Sequence, residues 1–201
     1  MWKDLAVTPE EEKLVQEIRD GKKIPLFINM HGGGFVKGRR DQDIVFCRNI
    51  CSRSDCAIVD IDYVPAPAMR YPGQAYACYD VMLSCADCAD KLEIDRSRIP
   101  AWKSDFYQKM YVNPEDAGEI YCSPAFASDE QLSQMPPALM LYCENDMFCD
   151  EAAEFHRRLL ALGVPVYGKR FLHSSHGFVV QRREEFQAAE QMILTALQRM
   201  M

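Results

Sequence analysis

Apolar residues along the chain fall into two rhythms, short continuous runs and runs spaced three or four apart, which predicts strands interleaved with helices. Thr8-Pro9-Glu10-Glu11 marks a helix start, with an N-cap hydroxyl, proline at the first helical position and glutamate at the capping-box position. Leu14, Val15 and Ile18 recur at helical spacing, and Gly21 ends the run. Residues 24–30 predict a buried strand, which Gly32-Gly33-Gly34 breaks into a loop. A helix is expected over about 43–52, with Ile44, Cys47 and Cys51 on one face. The apolar run at 56–62 predicts a second strand, parallel and covered on both faces. The proline-rich stretch 65–73 must be irregular, and 74 to about 92 reads as a helix. From 95 to 137 the pattern weakens and no strand is expected. A strand at 138–143, a helix at 150–162, a strand at 164–172 and a helix at 184–201 complete the series. Strands alternating with helices of this length imply an α/β fold, a mostly parallel sheet with helices on both faces, in one domain over 1–201.

Charge and composition narrow the partners. A formal net charge of −7 speaks against nucleic acid, because phosphate binding needs a basic surface and the basic residues here are dispersed. No apolar run reaches the roughly 18–20 residues of a membrane span. The start, Met1-Trp2-Lys3-Asp4, lacks the apolar stretch of a signal peptide, so a cytoplasmic location is expected. The nine cysteines are an odd count spread through apolar segments, which predicts reduced core thiols. Cys85-Ala86-Asp87-Cys88 has redox or metal spacing, and Cys47 and Cys51 lie one helical turn apart. Neither pair has a second ligand cluster at a zinc-site distance, so no metal or other cofactor is expected. Nothing in the pattern sets an oligomeric state.

Chemistry enters at His31-Gly32-Gly33-Gly34-Phe35. Glycines let the backbone turn sharply and approach a substrate, so that N–H groups can face a developing oxyanion. Alone, the triplet favours the plainer reading of a tight strand-to-helix turn. Further along stand Asp62-Tyr63-Val64-Pro65-Ala66-Pro67, Tyr71-Pro72 followed by Ala75 and Asp80, and Ile94-Asp95-Arg96-Ser97-Arg98-Ile99. Then come Ser123-Pro124, Pro136-Pro137-Ala138, Asp146-Met147-Phe148-Cys149-Asp150-Glu151 and His176-Gly177-Phe178. In this order the segments resemble the hormone-sensitive-lipase-like esterases, α/β-hydrolases whose oxyanion loop follows a strand as His-Gly-Gly-Gly. The resemblance implies that Gly33 and Gly34 supply oxyanion amides, with His31 and Gly32 supporting the loop. It also implies that His176 is the general base and that Asp146 orients it. The chain order of nucleophile, acid and histidine agrees, and each residue follows a predicted strand end, where open α/β sheets carry their sites. His173 is a weaker candidate because Gly-Phe does not follow it, and His156, beside Arg157 in a helix, reads as surface.

One part of that family's machinery is missing. The nucleophile elbow needs Gly-x-Ser-x-Gly, a strained strand-to-helix turn that presents serine between small neighbours. Among the ten glycines only Gly34 and Gly38 are four apart, with Val36 between them, and no glycine occurs from 74 to 117. After Ile99 the chain runs straight into Pro100-Ala101-Trp102-Lys103-Ser104, and Ser104 has no glycine on either side. A strand–helix–strand unit takes at least about 30 residues, so an internal deletion near 100–101 is expected, removing central strands.

The resemblance therefore implies a serine carboxylic-ester hydrolase for small or short-chain esters, with this chain inactive for want of a nucleophile. The alternative is a non-catalytic member of the fold that binds a small ester or acyl ligand, or a protein.

Overall fold

The computed structural model describes residues 8–21, 23–69 and 101–199. The expected helix at 74–92, the Cys85–Cys88 pair, the 94–99 lead-in and Pro100 lie outside the described residues.

Helix α1 (Pro9–Arg19) begins at Thr8, whose carbonyl accepts the Glu12 N–H at 3.0 Å. Its apolar stripe has little beneath it, since Val15 and Ile18 are 45% and 41% exposed. Strand β1 (Leu26–Met30) starts after Pro25, which has no N–H to give a ladder and contributes only its carbonyl, to Ala57 N at 2.9 Å. Helix α2 (Asp41–Cys51) leads into β2 (Ala57–Ile61), and the two strands pair in parallel from Leu26↔Ala57 to Met30↔Ile61.

After the undescribed stretch comes a helix that the pattern did not predict, α3 (Ala101–Tyr111). Its signal is visible in hindsight: Trp102, Phe106, Tyr107 and Tyr111 recur at helical spacing, and Pro100 suits the entry to a helix. Two single 3₁₀ turns and the short α4 (Asp129–Leu132) follow. As expected, no strand occurs among the described residues of 95–137. Strand β3 (Ala138–Asn145), helix α5 (Cys149–Ala161), strand β4 (Val166–Ser175) and helix α6 (Phe186–Gln198) end the chain's described part. β4 begins after Pro165 and runs three residues past its predicted end.

The architecture is α/β with parallel strands, but the ladders are two, β1–β2 and β3–β4, not one continuous sheet. Among the described residues no strand lies between β2 and β3 to hydrogen-bond both pairs. Side chains span the gap instead. Phe46, Cys47 and Ile50 of α2 and Cys56 pack with Leu194 and Leu197 of α6, against Phe27 and Ile58. The same helix gives Ala189 to a second cluster with Cys143, Phe171 and Phe178, backed by Met192. Each fully buried Leu or Phe contributes about 1.5–3 kcal/mol, so α6 is the main tie between the ladders.

A polar contact reinforces it. Glu190, 1% exposed, accepts from Arg53 at 3.1 Å and from Arg182 at 2.9 Å. Both arginines are partly solvated, so they rehydrate when their partner is removed, and Glu190→Ala is expected to cost only about 1–2 kcal/mol. Urea unfolding with and without 1 M salt checks this, the loss being smaller at high salt.

α5 covers the β3–β4 ladder through Leu159, which packs with Val164 in the connection to β4. Arg158 binds the Ala125 and Ala127 carbonyls, each at 2.7 Å, and Asp129 Oδ1. His156, read as surface from its charged neighbour, is in fact half-buried. It faces the ladder side of α5, 3.3 Å from the Tyr142 hydroxyl, in space left by Gly168, where a Cβ would overlap its ring. No helix among the described residues is long and apolar enough to cross a membrane.

Candidate active site

Two clusters form at strand ends. The first follows β1. His31 is 3% exposed and stacks on Tyr63 with ring centroids 4.3 Å apart, and the Tyr63 hydroxyl donates to the His31 carbonyl at 2.9 Å. Its Nδ1 lies 3.0 Å from the Gly32 carbonyl, while its buried Nε2 has no hydrogen-bond partner among the described residues. The loop then turns through Gly34 at φ +60° and Phe35 at φ +63°. Glycine takes the left-handed region freely, whereas Phe35 is held there by packing: its ring stacks on Tyr111 at 3.9 Å and its carbonyl accepts from Ala66 N at 2.8 Å. A Cβ on Gly34 would overlap the Tyr107 ring, so α3 lies directly against the loop. Farther on, Arg39 binds Asp60 at 3.2 Å, and Asp60 accepts from Asn29 at 2.8 Å, which ties the loop back to both strands.

The second cluster follows from register. β3 and β4 pair in parallel up to Asn145↔Ser175, with a shift after Cys143. The next residues on the two strands are Asp146 and His176, so the ladder itself sets them side by side. His176 Nδ1 lies 2.8 Å from Asp146 Oδ2. The other carboxylate oxygen accepts from Phe148 N at 3.2 Å, and the Cys143 thiol points at Oδ2 from 3.7 Å. The Asp146 side chain is 13% exposed and that of His176 40%. This leaves an imidazole oriented by a shielded carboxylate and open to solvent. The structure thus brings Asp146 and His176 together, and gathers His31, Gly32, Gly33 and Gly34 in one loop at the end of the other ladder. His173 is exposed.

Ser104 sits in the first turn of α3, a regular helix without the strained presentation an elbow gives. Four of the six described cysteines are held as unreactive thiols. Burial, with Asp60 and Asp43 adding repulsion, pushes the Cys47 thiol up to about 12. Burial likewise raises Cys143, Cys122 and Cys149. At neutral pH each stays a thiol and not the thiolate that attacks. Among the described residues no group of three or more His, Cys, Asp or Glu is placed to hold a metal ion.

Reading the sequence missed Tyr107 and Tyr111 as parts of the loop's support. Their helical spacing was the available signal.

A family profile described as alpha/beta hydrolase fold matches residues 27–101 and 98–180, two segments that meet at 98–101. An alpha/beta hydrolase of Acanthamoeba polyphaga mimivirus is 22% identical over 214 residues, covering 79% of this chain and 62% of its own length. An arylesterase of Saccharolobus solfataricus is 22% identical over 210 residues, covering 77% and 68% respectively. The chain thus spans about two thirds of these relatives' lengths. Since 79% and 77% of 201 residues are about 159 and 155, each alignment leaves about 55 positions of the relative with no counterpart here. Among solved structures, a hyperthermophilic esterase from the archaeon Pyrobaculum calidifontis aligns with TM-score 0.74 at 23% identity, over 90% of this chain and 79% of that one. Carboxyl esterase 2 from the fungus Tuber melanosporum aligns with TM-score 0.72 at 21% identity, over 88% and 78%. At such identities these structures speak for the fold, and the chain is shortened relative to them. With the family profile matching most of its length, the chain belongs to the alpha/beta hydrolase fold family, of the hormone-sensitive-lipase-like type.

Proposed function

We propose that this chain is a shortened form of a serine carboxylic-ester hydrolase. It keeps the acid–base pair Asp146 and His176 and the oxyanion loop of Gly33 and Gly34, and has lost the segment bearing the nucleophile. The reading is supported above all by the 2.8 Å approach of His176 Nδ1 to Asp146 Oδ2 on a fold shared with esterases. The loss is supported by the two family segments meeting at 98–101 and by the 55 or so positions absent from the alignments. That length fits a strand–helix–strand unit, which needs at least about 30 residues, and no Gly-x-Ser-x-Gly occurs in the sequence.

In the intact reaction a serine would attack the ester carbonyl while His176 takes its proton. Asp146 would hold the imidazole, and the Gly33 and Gly34 amides would face the oxyanion. Without the serine, His176 has no side-chain proton to remove and acyl transfer has no first step. What remains is a single domain able to hold a small ester or acyl ligand. We assign it to the cytoplasm, on the six free thiols of its described part.

The purified chain and its His176→Ala variant are expected to release p-nitrophenol from p-nitrophenyl acetate at the same background rate. Turnover by the parent that disappears in the variant would overturn the proposal and make Ser104 the first suspect.

A further inference from the structure

The imidazole of His176 stands just past the end of β4, with its Nδ1 2.8 Å from Asp146 Oδ2. The Phe148 ring centroid lies 5.9 Å from that of the imidazole, and the following Gly177 sits at φ +77°. The ladder is weak at this point, because its register breaks between Cys143 and Asn145. Two consecutive carboxylates reach back to this end from the turn before α6. Glu185 Oε2 accepts from His173 N at 3.0 Å and from the hydroxyl of fully buried Ser174 at 3.0 Å. Glu184 Oε2 accepts from Ser175 N at 2.6 Å, and its Oε1 from the Ser175 hydroxyl at 3.0 Å. The three residues before His176 are therefore each bonded by a carboxylate. The backbone that delivers these groups is strained, with Arg182 at φ +53° and Glu184 at φ +55°, a region non-glycine residues enter only when the surroundings impose it.

We propose that Glu184 and Glu185 are positioning residues that fix the His176 imidazole against Asp146 by clamping the last three residues of β4. The inference rests on reading Asp146 and His176 as an acid–base pair. Each carboxylate makes charge-assisted bonds, two per side chain, and these are directional as well as attractive. An error of a few tenths of an ångström at Ser175 passes directly to the next residue, and with it to the 2.8 Å contact. The bond from His173 N, followed by that from Ser174, holds the Glu185 carboxyl below its ordinary range, with Lys169 and His173 nearby adding to the effect. Because its folded value is depressed, the Glu185 half of the clamp is complete above the ordinary carboxyl range and released as pH falls through the folded value.

The test is the imidazole Nδ1–H proton resonance, which moves far downfield when bonded to a carboxylate. It is followed in the full chain with Asp146→Asn as the assignment control. Glu184→Ala and Glu185→Ala are expected to broaden or abolish the resonance at temperatures where circular dichroism shows the fold intact. Glu184→Gln and Glu185→Gln, which keep an acceptor oxygen, are expected to retain it. A resonance unchanged in both alanine variants, or lost only when the whole chain unfolds, would overturn the clamp. Absence of the resonance in the parent chain would overturn both pair and clamp. The ester assay bears on the activity reading alone, because the resonance does not depend on turnover.

Discussion

Phe171→Ala is expected to lower the unfolding free energy by about 3–5 kcal/mol, the range for emptying a large aromatic site in a core that cannot collapse around it. Phe171 is fully buried on β4, and its ring centroid lies 4.9 Å from that of Phe178. Around the two rings are Cys143 of β3 and Ala189 of α6, so the residue joins the strand pair to the helix that ties both ladders. Strand backbones on one side and a helix on the other limit how far the cavity can close. The effect reaches the site as well, because Phe178 anchors the turn that begins at His176. Urea unfolding should show a lower midpoint with an unchanged slope. A loss below about 1 kcal/mol would mean that the ladder and α6 are not packed as described.

Gly34→Ala is expected to cost about 2–5 kcal/mol from two sources. The left-handed φ of +60° costs an alanine about 1–2 kcal/mol. Overlap of its Cβ with the Tyr107 ring adds about 1–3 kcal/mol of overpacking. The sources separate in a double-mutant cycle, since Tyr107→Ala removes the overlap and leaves the backbone cost. Gly34→Ala should therefore cost about 1–2 kcal/mol in that background, a coupling typical of residues in contact. Equal losses in both backgrounds would show that α3 does not rest on the loop.

The pattern of polar and apolar positions makes β1, α2, β2, β3, α5, β4 and α6 legible, because each buries a run of the right period. Boundaries shift mainly at prolines: Pro25 and Pro165 lack the N–H that a ladder needs, which moves β1 and β4 inward. Helix α3 is missed because its apolar positions are aromatic and cluster just after the junction, where they look like irregular chain. The division into two ladders is not written in any segment, since it depends on which strands are available as neighbours. Motif spacing marks Asp146 and His176 as residues of interest. Their separation, however, follows from the register Asn145↔Ser175, which only the paired backbone reveals. Glu184 and Glu185 leave no trace in periodicity, because they act on backbone N–H groups and hydroxyls across an irregular turn. His156 shows the same limit in reverse. A charged neighbour suggests the surface, yet the side chain fills room that a glycine on the facing strand provides.

Intact-mass spectrometry after exposure to a fluorophosphonate tests the central claim, that the scaffold is present and the nucleophile is not, most directly. The reagent phosphonylates an activated serine once and stops. No added mass is expected on the folded chain, and the spectrum should match that of His176→Ala. A single stoichiometric adduct on one serine, absent from His176→Ala, would contradict the account, because it would mean that a working nucleophile stands beside His176.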